Sequence, residues 1–112
     1  GCINGETLLS RINWTETADT GTRKMLEKWI NSVDLSWHKA FAKAVMGSIS
    51  FPPGRTMNVR TYAPSSADTL PSSHTCSLVL DLPSSYPDQE TFKKKIEMFI
   101  KESLAGSGFQ FA

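Results

Sequence analysis

The chain has 112 residues, of which 39% are hydrophobic and 21% charged, a size and composition typical of one soluble globular domain. Twelve basic and eleven acidic side chains give a formal net charge of +1, so the composition lacks the basic excess of a nucleic-acid-binding protein. No apolar run approaches the roughly 20 residues that cross a bilayer, and the first residues lack the pattern of a signal peptide. We therefore expect a single domain over residues 1–112, with no nucleic-acid partner and no membrane span.

The first half of the chain predicts helices. Their approximate ranges are residues 5–12, residues 22–33, and a third helix that starts near Asp34 or Ser36 and ends at Gly47. Asn4 is a suitable N-cap for the first helix, and Gly47 is a favourable C-cap for the third. In the second helix, apolar residues recur at three- and four-residue spacing, which indicates one buried face. A polar stretch separates the first two helices.

Two strands are predicted after the third helix. Residues 57–62 alternate in polarity, and residues 63–75 have the Ser, Pro, Asp and Thr content of an exposed loop. Residues 76–82 alternate again. A regular strand there would place Cys76 on the same face as three leucines.

A final amphipathic helix starts at Pro87 or Asp88 and ends at Gly106, and residues 107–112 follow it as a short tail with two phenylalanines. Helices, then strands, then a helix favour an α+β fold. In that fold about four helices pack on a small sheet.

Cys76 is the candidate reactive residue, because it lies where the polar loop meets the second predicted strand. The loop gives access and the strand gives rigidity. A thiolate is a strong nucleophile, and its thioester stays reactive enough for an amine to attack. The alternation favours another interpretation, in which Cys76 is a small hydrophobic residue buried beside the leucines. The pattern by itself ranks burial ahead of catalysis.

Three neighbours of Cys76 are candidates for supporting roles. His74 precedes it by two residues, so an extended backbone points both side chains the same way, and the imidazole can favour the thiolate or relay a proton. Thr75 can donate a hydrogen bond near a thioester carbonyl. Asp81 can steer or deprotonate an incoming lysine, although its odd offset places it on the opposite face of a regular strand. Each is also compatible with an ordinary exposed polar residue.

No metal or cofactor site is predicted. The cysteines and histidines lack zinc-ligand spacing, and the chain has no glycine-rich phosphate loop and no nucleophile elbow. The two cysteines, Cys2 and Cys76, are too few for a disulfide framework, which fits a reducing compartment.

Several motifs resemble those of the HECT-type ubiquitin ligases. Leu-Pro-Ser-Ser-His-Thr-Cys at residues 70–76, followed by Leu-Asp-Leu-Pro at 80–83, is similar to the active-site signature of that family. Met-Gly-Ser at 46–48 and Phe-Pro-Pro-Gly at 51–54 resemble its helix end and turn. The ending Gly-Phe-Gln-Phe-Ala at 108–112 is similar to the Gly-Phe-x-x-x tail of the family.

The resemblance implies a two-layer α+β lobe with the chemistry of ubiquitin transfer. In this family ubiquitin arrives as a thioester on a conjugating enzyme and passes to the ligase cysteine, here Cys76. A substrate lysine then attacks to form an isopeptide bond, so the implied partners are ubiquitin, a ubiquitin-conjugating enzyme and protein substrates. Phe109 matches a tail phenylalanine that helps to position the lobe for transfer. It is also compatible with an aromatic residue that simply packs on the domain.

The chain has about the length of the small C-terminal lobe of that family. We therefore expect the larger lobe, which binds the conjugating enzyme, to be absent from it, and we expect this piece to be monomeric. Ser77 replaces an aromatic residue often found after the cysteine, and Arg55 stands where a second glycine is common. Two alternatives stay open: a catalytically silent lobe that binds ubiquitin or another protein, and an unrelated cysteine hydrolase. By analogy with the family, we expect an intracellular, cytoplasmic protein.

Overall fold

A computed structural model describes residues 2–111, which form four α-helices and one four-stranded sheet. Helices α1 to α4 cover Gly5–Arg11, Thr20–Ser32, Leu35–Met46 and Gln89–Leu104. Strands β1 to β4 cover Ile12–Trp14, Met57–Tyr62, Ser72–His74 and Val79–Pro83. The predicted α+β class is confirmed. Within this part of the chain, no helix has the length and apolar character needed to span a membrane.

Each helix begins just after a side chain that accepts a backbone hydrogen bond. The four N-cap residues are Asn4, Asp19, Asp34 and Asp88. Their oxygens satisfy N–H groups that have no partner within the helix. The structure confirms Asn4 as the first cap and selects Asp34 and Asp88 from the predicted pairs. Helix α2 begins at Thr20, two residues earlier than predicted, because Asp19 accepts the N–H of Thr22 at 2.9 Å.

Specific contacts explain where α3 ends and how the turn after it is held. Gly47 has a φ of 77°, in the left-handed region that glycine adopts without steric cost, and its N–H donates to the carbonyl oxygen of Lys43. In the turn, Arg11 donates a hydrogen bond to the carbonyl oxygen of Arg55. The Arg11 guanidinium also lies 4.6 Å from the centre of the Phe51 ring. These contacts hold the Pro-Pro-Gly segment against α1.

The sheet has the strand order β1-β2-β4-β3, with β1, β2 and β4 parallel and β3 antiparallel to β4. Strands β1 and β3, with three residues each, were not predicted, because periodicity is not measurable over so short a segment. The predicted loop at 63–75 therefore contains a strand. The predicted strand at 76–82 is wrong at its start, since β4 begins at Val79.

One face of the sheet and the helices that pack on it form the core. The strand residues on this face are Met57, Val59, Leu80 and Leu82, all with no exposed surface. The largest buried helical side chains are Trp29, Phe41 and Phe92. The indole N–H of Trp29 donates to Glu97 at 3.0 Å. Among the described residues, no buried side-chain nitrogen or oxygen lacks a hydrogen-bond partner.

We expect Leu80→Ala to lower the free energy of unfolding by about 2–5 kcal/mol, the usual cost of such a cavity in a core. Leu80 lies in the central strand β4, opposite Val59 on one side and Ser73 on the other. Urea unfolding measures the effect. Val79→Ala is the matched control, because Val79 is only partly buried and faces the other side of the sheet. Equal losses in the two variants would contradict this account of the core.

Candidate active site

Cys76 lies in a single turn of 3-10 helix, Thr75–Ser77, between β3 and β4, and it is exposed. The turn interrupts the predicted strand, so the alternation that aligned Cys76 with the leucines does not apply. The burial of Cys76 that this alternation favoured is wrong. The thiol is open to solvent at the junction of loop and sheet, where a second protein can approach it.

Leu78 anchors the turn. Its φ of 57° lies in the left-handed region, which costs a residue with a side chain about 1–2 kcal/mol. The residue is only 4% exposed, so burial of its side chain offsets that cost. The Leu78 N–H also donates to the carbonyl oxygen of Thr75 at 3.3 Å. Leu78 therefore enters the core while Cys76, two residues earlier, remains outside.

The C-terminal end of α3 supports the 3-10 turn that carries Cys76. The hydroxyl of Ser73, in β3, donates to the Ala44 carbonyl oxygen at 2.8 Å. A Cβ added at Gly47 would lie 3.7 Å from the Cβ of Thr75, so the end of the helix and the turn are close neighbours. The thiol is thus carried on a backbone that a helix and a strand hold in place.

The loop before β3 is fixed by Tyr86. Its hydroxyl donates to the carbonyl oxygen of Thr69 at 2.6 Å. Burial, together with the proximity of Tyr62, raises the pKa of Tyr86 above its ordinary value, so the phenol stays protonated and remains a donor. This bond holds the segment that leads through Leu70 and Pro71 into β3.

Three strands bring Arg60, Asp81 and His74 together on the outer face of the sheet. Arg60 in β2 lies opposite Asp81 in β4, with Nε to Oδ1 at 2.7 Å and Nη2 to Oδ2 at 2.9 Å. Nε2 of His74, in β3, lies 3.1 Å from Oδ2 of Asp81. The odd offset of Asp81 from Cys76 predicted that Asp81 would lie on the face opposite the leucines, and it does lie there, with His74 as a neighbour through the pairing of β3 with β4. No sequence motif indicated Arg60; its only signal is the register of β2 against β4.

The network keeps Asp81 ionised. Hydrogen bonds from Arg60 are the main cause that holds the pKa of Asp81 below its ordinary value. Partial burial acts in the opposite direction, and the charges of Arg60 and His74 lower the pKa further. An ionised carboxylate only accepts hydrogen bonds, so Nε2 of His74 must be the donor. In a neutral imidazole, Nδ1 then carries no proton and can accept one.

An open cleft of about 350 Å³ lies beside the network, lined by Arg60, Thr61, Tyr62, Ser72 and Asp81. Thr75 occupies the first position of the 3-10 turn, next to Cys76. Within residues 2–111, no three His, Cys, Asp or Glu side chains are grouped so as to hold a metal ion. This part of the fold thus carries an exposed thiol and, two residues before it in the chain, a histidine in contact with a carboxylate.

The C-terminal tail folds back on the domain. Phe109 is partly buried against the core, and its ring centre lies 5.2 Å from that of Phe111. Phe111 in turn lies 4.7 Å from the Trp37 ring centre, and Nζ of Lys101 lies 5.8 Å from the same ring. The last tail residue, Ala112, lies outside the described residues. The tail therefore contacts α3 through Phe111 and Trp37, and α3 packs on the sheet face opposite the network.

Comparison with known proteins agrees with the motifs and the geometry. A model of the HECT domain, described as a ubiquitin-transferase domain, matches residues 2–112. The comparison with curated proteins gave no match. The family match includes the signature around Cys76, the sheet that carries it and the phenylalanine-containing tail. The chain belongs to the HECT-domain (ubiquitin-transferase) family.

Proposed function

We propose that this chain is a catalytic lobe that accepts ubiquitin as a thioester on Cys76 and passes it to a lysine of a protein substrate. The exposed thiol on a supported turn carries the proposal. Family membership supplies the reaction type. We further propose that residues 1–112 act as one domain beside a larger lobe that binds the conjugating enzyme, inside the cell.

In the loading step, the thiolate of Cys76 attacks the carbonyl carbon at the C-terminus of ubiquitin. A new C–S bond forms to Cys76, the C–S bond to the conjugating enzyme breaks, and that enzyme leaves as a thiolate. The proton of the Cys76 thiol passes to His74 or to water. An exposed cysteine suits this step, because the two proteins must approach each other closely.

In the transfer step, the amine of a substrate lysine attacks the same carbonyl carbon. A C–N bond forms, the C–S bond breaks, and Cys76 leaves as a thiolate. The extra proton on nitrogen moves to Nδ1 of His74 and then to water. Asp81 holds the imidazole through Nε2, and the hydroxyl of Thr75 can donate to the carbonyl oxygen as negative charge develops there.

The test uses the two-lobed ligase with a charged conjugating enzyme. The proposal predicts a ubiquitin adduct that reductant removes, followed by conjugation to lysine. A silent lobe would bind ubiquitin without forming the adduct, and a hydrolase would release free ubiquitin even when lysine is present. Either outcome would reject a transferase role.

We expect Phe109→Ala to lower ubiquitin transfer about tenfold, which corresponds to about 1.4 kcal/mol, the order of partly burying a phenylalanine. The reason is the match of Phe109 to the tail position that orients the lobe in this family. Single-turnover transfer in the two-lobed ligase measures the rate. Phe111→Ala is the control, since Phe111 is the more exposed of the two rings. A loss of thermal stability with no change in rate would assign Phe109 to packing alone.

A further inference from the structure

We propose that Arg60 is a positioning residue for ubiquitin transfer: it fixes Asp81, and Asp81 fixes the His74 ring with Nδ1 free to accept the proton of the attacking lysine. The inference rests on the proposed function and adds a residue that neither the signature motif nor the family match identifies. Arg60 touches no reacting atom. It acts through two side chains on neighbouring strands.

The geometry of the Arg60 contact restrains the carboxylate. Nε and Nη2 bind the two oxygens of Asp81 separately, at 2.7 and 2.9 Å, which prevents rotation of the carboxylate plane. Oδ2 then has a fixed position from which it accepts the Nε2 proton of His74. Without the guanidinium, the carboxylate can turn, and the hydrogen bond to His74 loses its direction.

The charge of Arg60 supports the network in addition to its two hydrogen bonds. In the network, the cation of Arg60 balances the anion of Asp81. Without that cation, the charge of Asp81 is left uncompensated beside the His74 ring. Loss of Arg60 therefore removes a compensating charge as well as a two-point contact from the network.

Few other charges face this network. Among the strand residues of this face, the charged or titratable groups besides Arg60, Asp81 and His74 are limited to Tyr62 of β2. Helix α3 packs on the other face, where Ser73 contacts Ala44, and its lysines, Lys39 and Lys43, belong to that layer. The charged side chains of the network beside the His74 ring are thus one arginine and one aspartate.

The first test reads the protonation of His74 without any catalysis. A long-range proton–nitrogen NMR spectrum of the 112-residue chain at neutral pH distinguishes the two tautomers and the imidazolium. We expect the Nε2–H tautomer in the unaltered chain, and a mixture of the two neutral tautomers in Arg60→Ala, because the carboxylate that fixes Nε2–H is free to turn. Arg60→Lys should lie between them, since lysine restores the charge but not the two-point contact. Identical spectra for the unaltered chain and Arg60→Ala would overturn the proposal.

The second test separates loading from discharge in the two-lobed ligase. We expect Arg60→Ala to lower the rate of discharge to lysine about fivefold, with loading nearly unchanged. In a His74→Ala background the same substitution should have no effect, because its influence passes through the imidazole. An equal loss in that background would overturn the proposal.

Arg23→Ala is the matched control. Its side chain is 50% exposed against 51% for Arg60, it also forms one ion pair, and it stacks on Trp14 of β1, at the far edge of the sheet from β3. Arg23→Ala should leave the His74 tautomer and the discharge rate unchanged. Failure of the underlying function would be seen separately, as a ligase that forms no Cys76 adduct although the tautomer assignment holds.

Discussion

Cys76→Ser is expected to abolish the reductant-sensitive ubiquitin adduct and to lower ligase activity on the order of a thousandfold or more, because a serine hydroxyl is not ionised at neutral pH. Any adduct that still forms on serine would be an oxygen ester, which resists reductant. Gel electrophoresis with and without thiol, followed by mass spectrometry of the modified peptide, identifies the bond and the residue.

Cys2→Ser is the control for this prediction. Cys2 is the other cysteine of the chain and is also exposed, so chance acylation of accessible thiols would affect both. Cys2→Ser should load and discharge normally. Cys76→Ser should keep its thermal unfolding midpoint, because the side chain is exposed and the exchange is nearly isosteric. An adduct that persists on Cys2, or one that survives Cys76→Ser as a thioester, would contradict the assignment.

His74→Ala is expected to slow discharge to lysine about 100-fold, at the lower end of what a general base contributes. An exposed lysine is protonated at neutral pH, so the attacking amine must lose a proton during the reaction. The proposed function assigns that proton to His74, whose ring contacts Asp81 in the network. Single-turnover discharge of the preloaded ligase across a range of pH gives the rate and the shape of its acid limb.

Added imidazole should restore part of the rate in His74→Ala, since a free base can enter the space that the ring leaves. Ser72→Ala is the matched control: Ser72 lies on β3, two residues before His74, and pairs with Asp81 in the ladder without taking part in the proton transfer. It should discharge at the normal rate. Unchanged discharge in His74→Ala would remove the base from the mechanism and leave solvent as the acceptor.

The pH dependence of the stability that Asp81 contributes follows from the direction of its pKa shift. Because the folded-state pKa of Asp81 is below its ordinary value, its contribution to stability is present above the ordinary carboxyl pKa. The contribution is lost as pH falls through the lowered value. Neutral conditions, under which transfer is assayed, keep the network intact.

The sequence predicted the helices and the strand in which the spacing of apolar residues is regular over many positions. Helices α2, α3 and α4 and strand β2 lie where the spacing of apolar residues placed them, within two residues at each end. Their burial pattern is repeated over several turns or pairs, so one irregular residue does not obscure it. The order of these elements also predicted the α+β class, whereas the signature around Cys76 was recognised only by its resemblance to the family motif.

The prediction from the sequence was wrong where the backbone conformation of one residue changed the direction of the chain. Alternation over 76–82 suggested a continuous strand, but Leu78 adopts a left-handed conformation and Cys76 sits in a 3-10 turn. A leucine in the sequence does not indicate a left-handed conformation, whereas a glycine favours one. The burial of its side chain in the assembled core stabilises it, and that burial exists only in the folded protein.

The sequence by itself determined the family, through the order of its motifs, and the identity of the candidate nucleophile. Only the tertiary structure decided that Cys76 is exposed and that Arg60, Asp81 and His74 form one network. Arg60 and Asp81 are 21 residues apart, and the register of two parallel strands brings them together. Local propensity cannot specify such a register, because it depends on which faces of distant strands the common core buries.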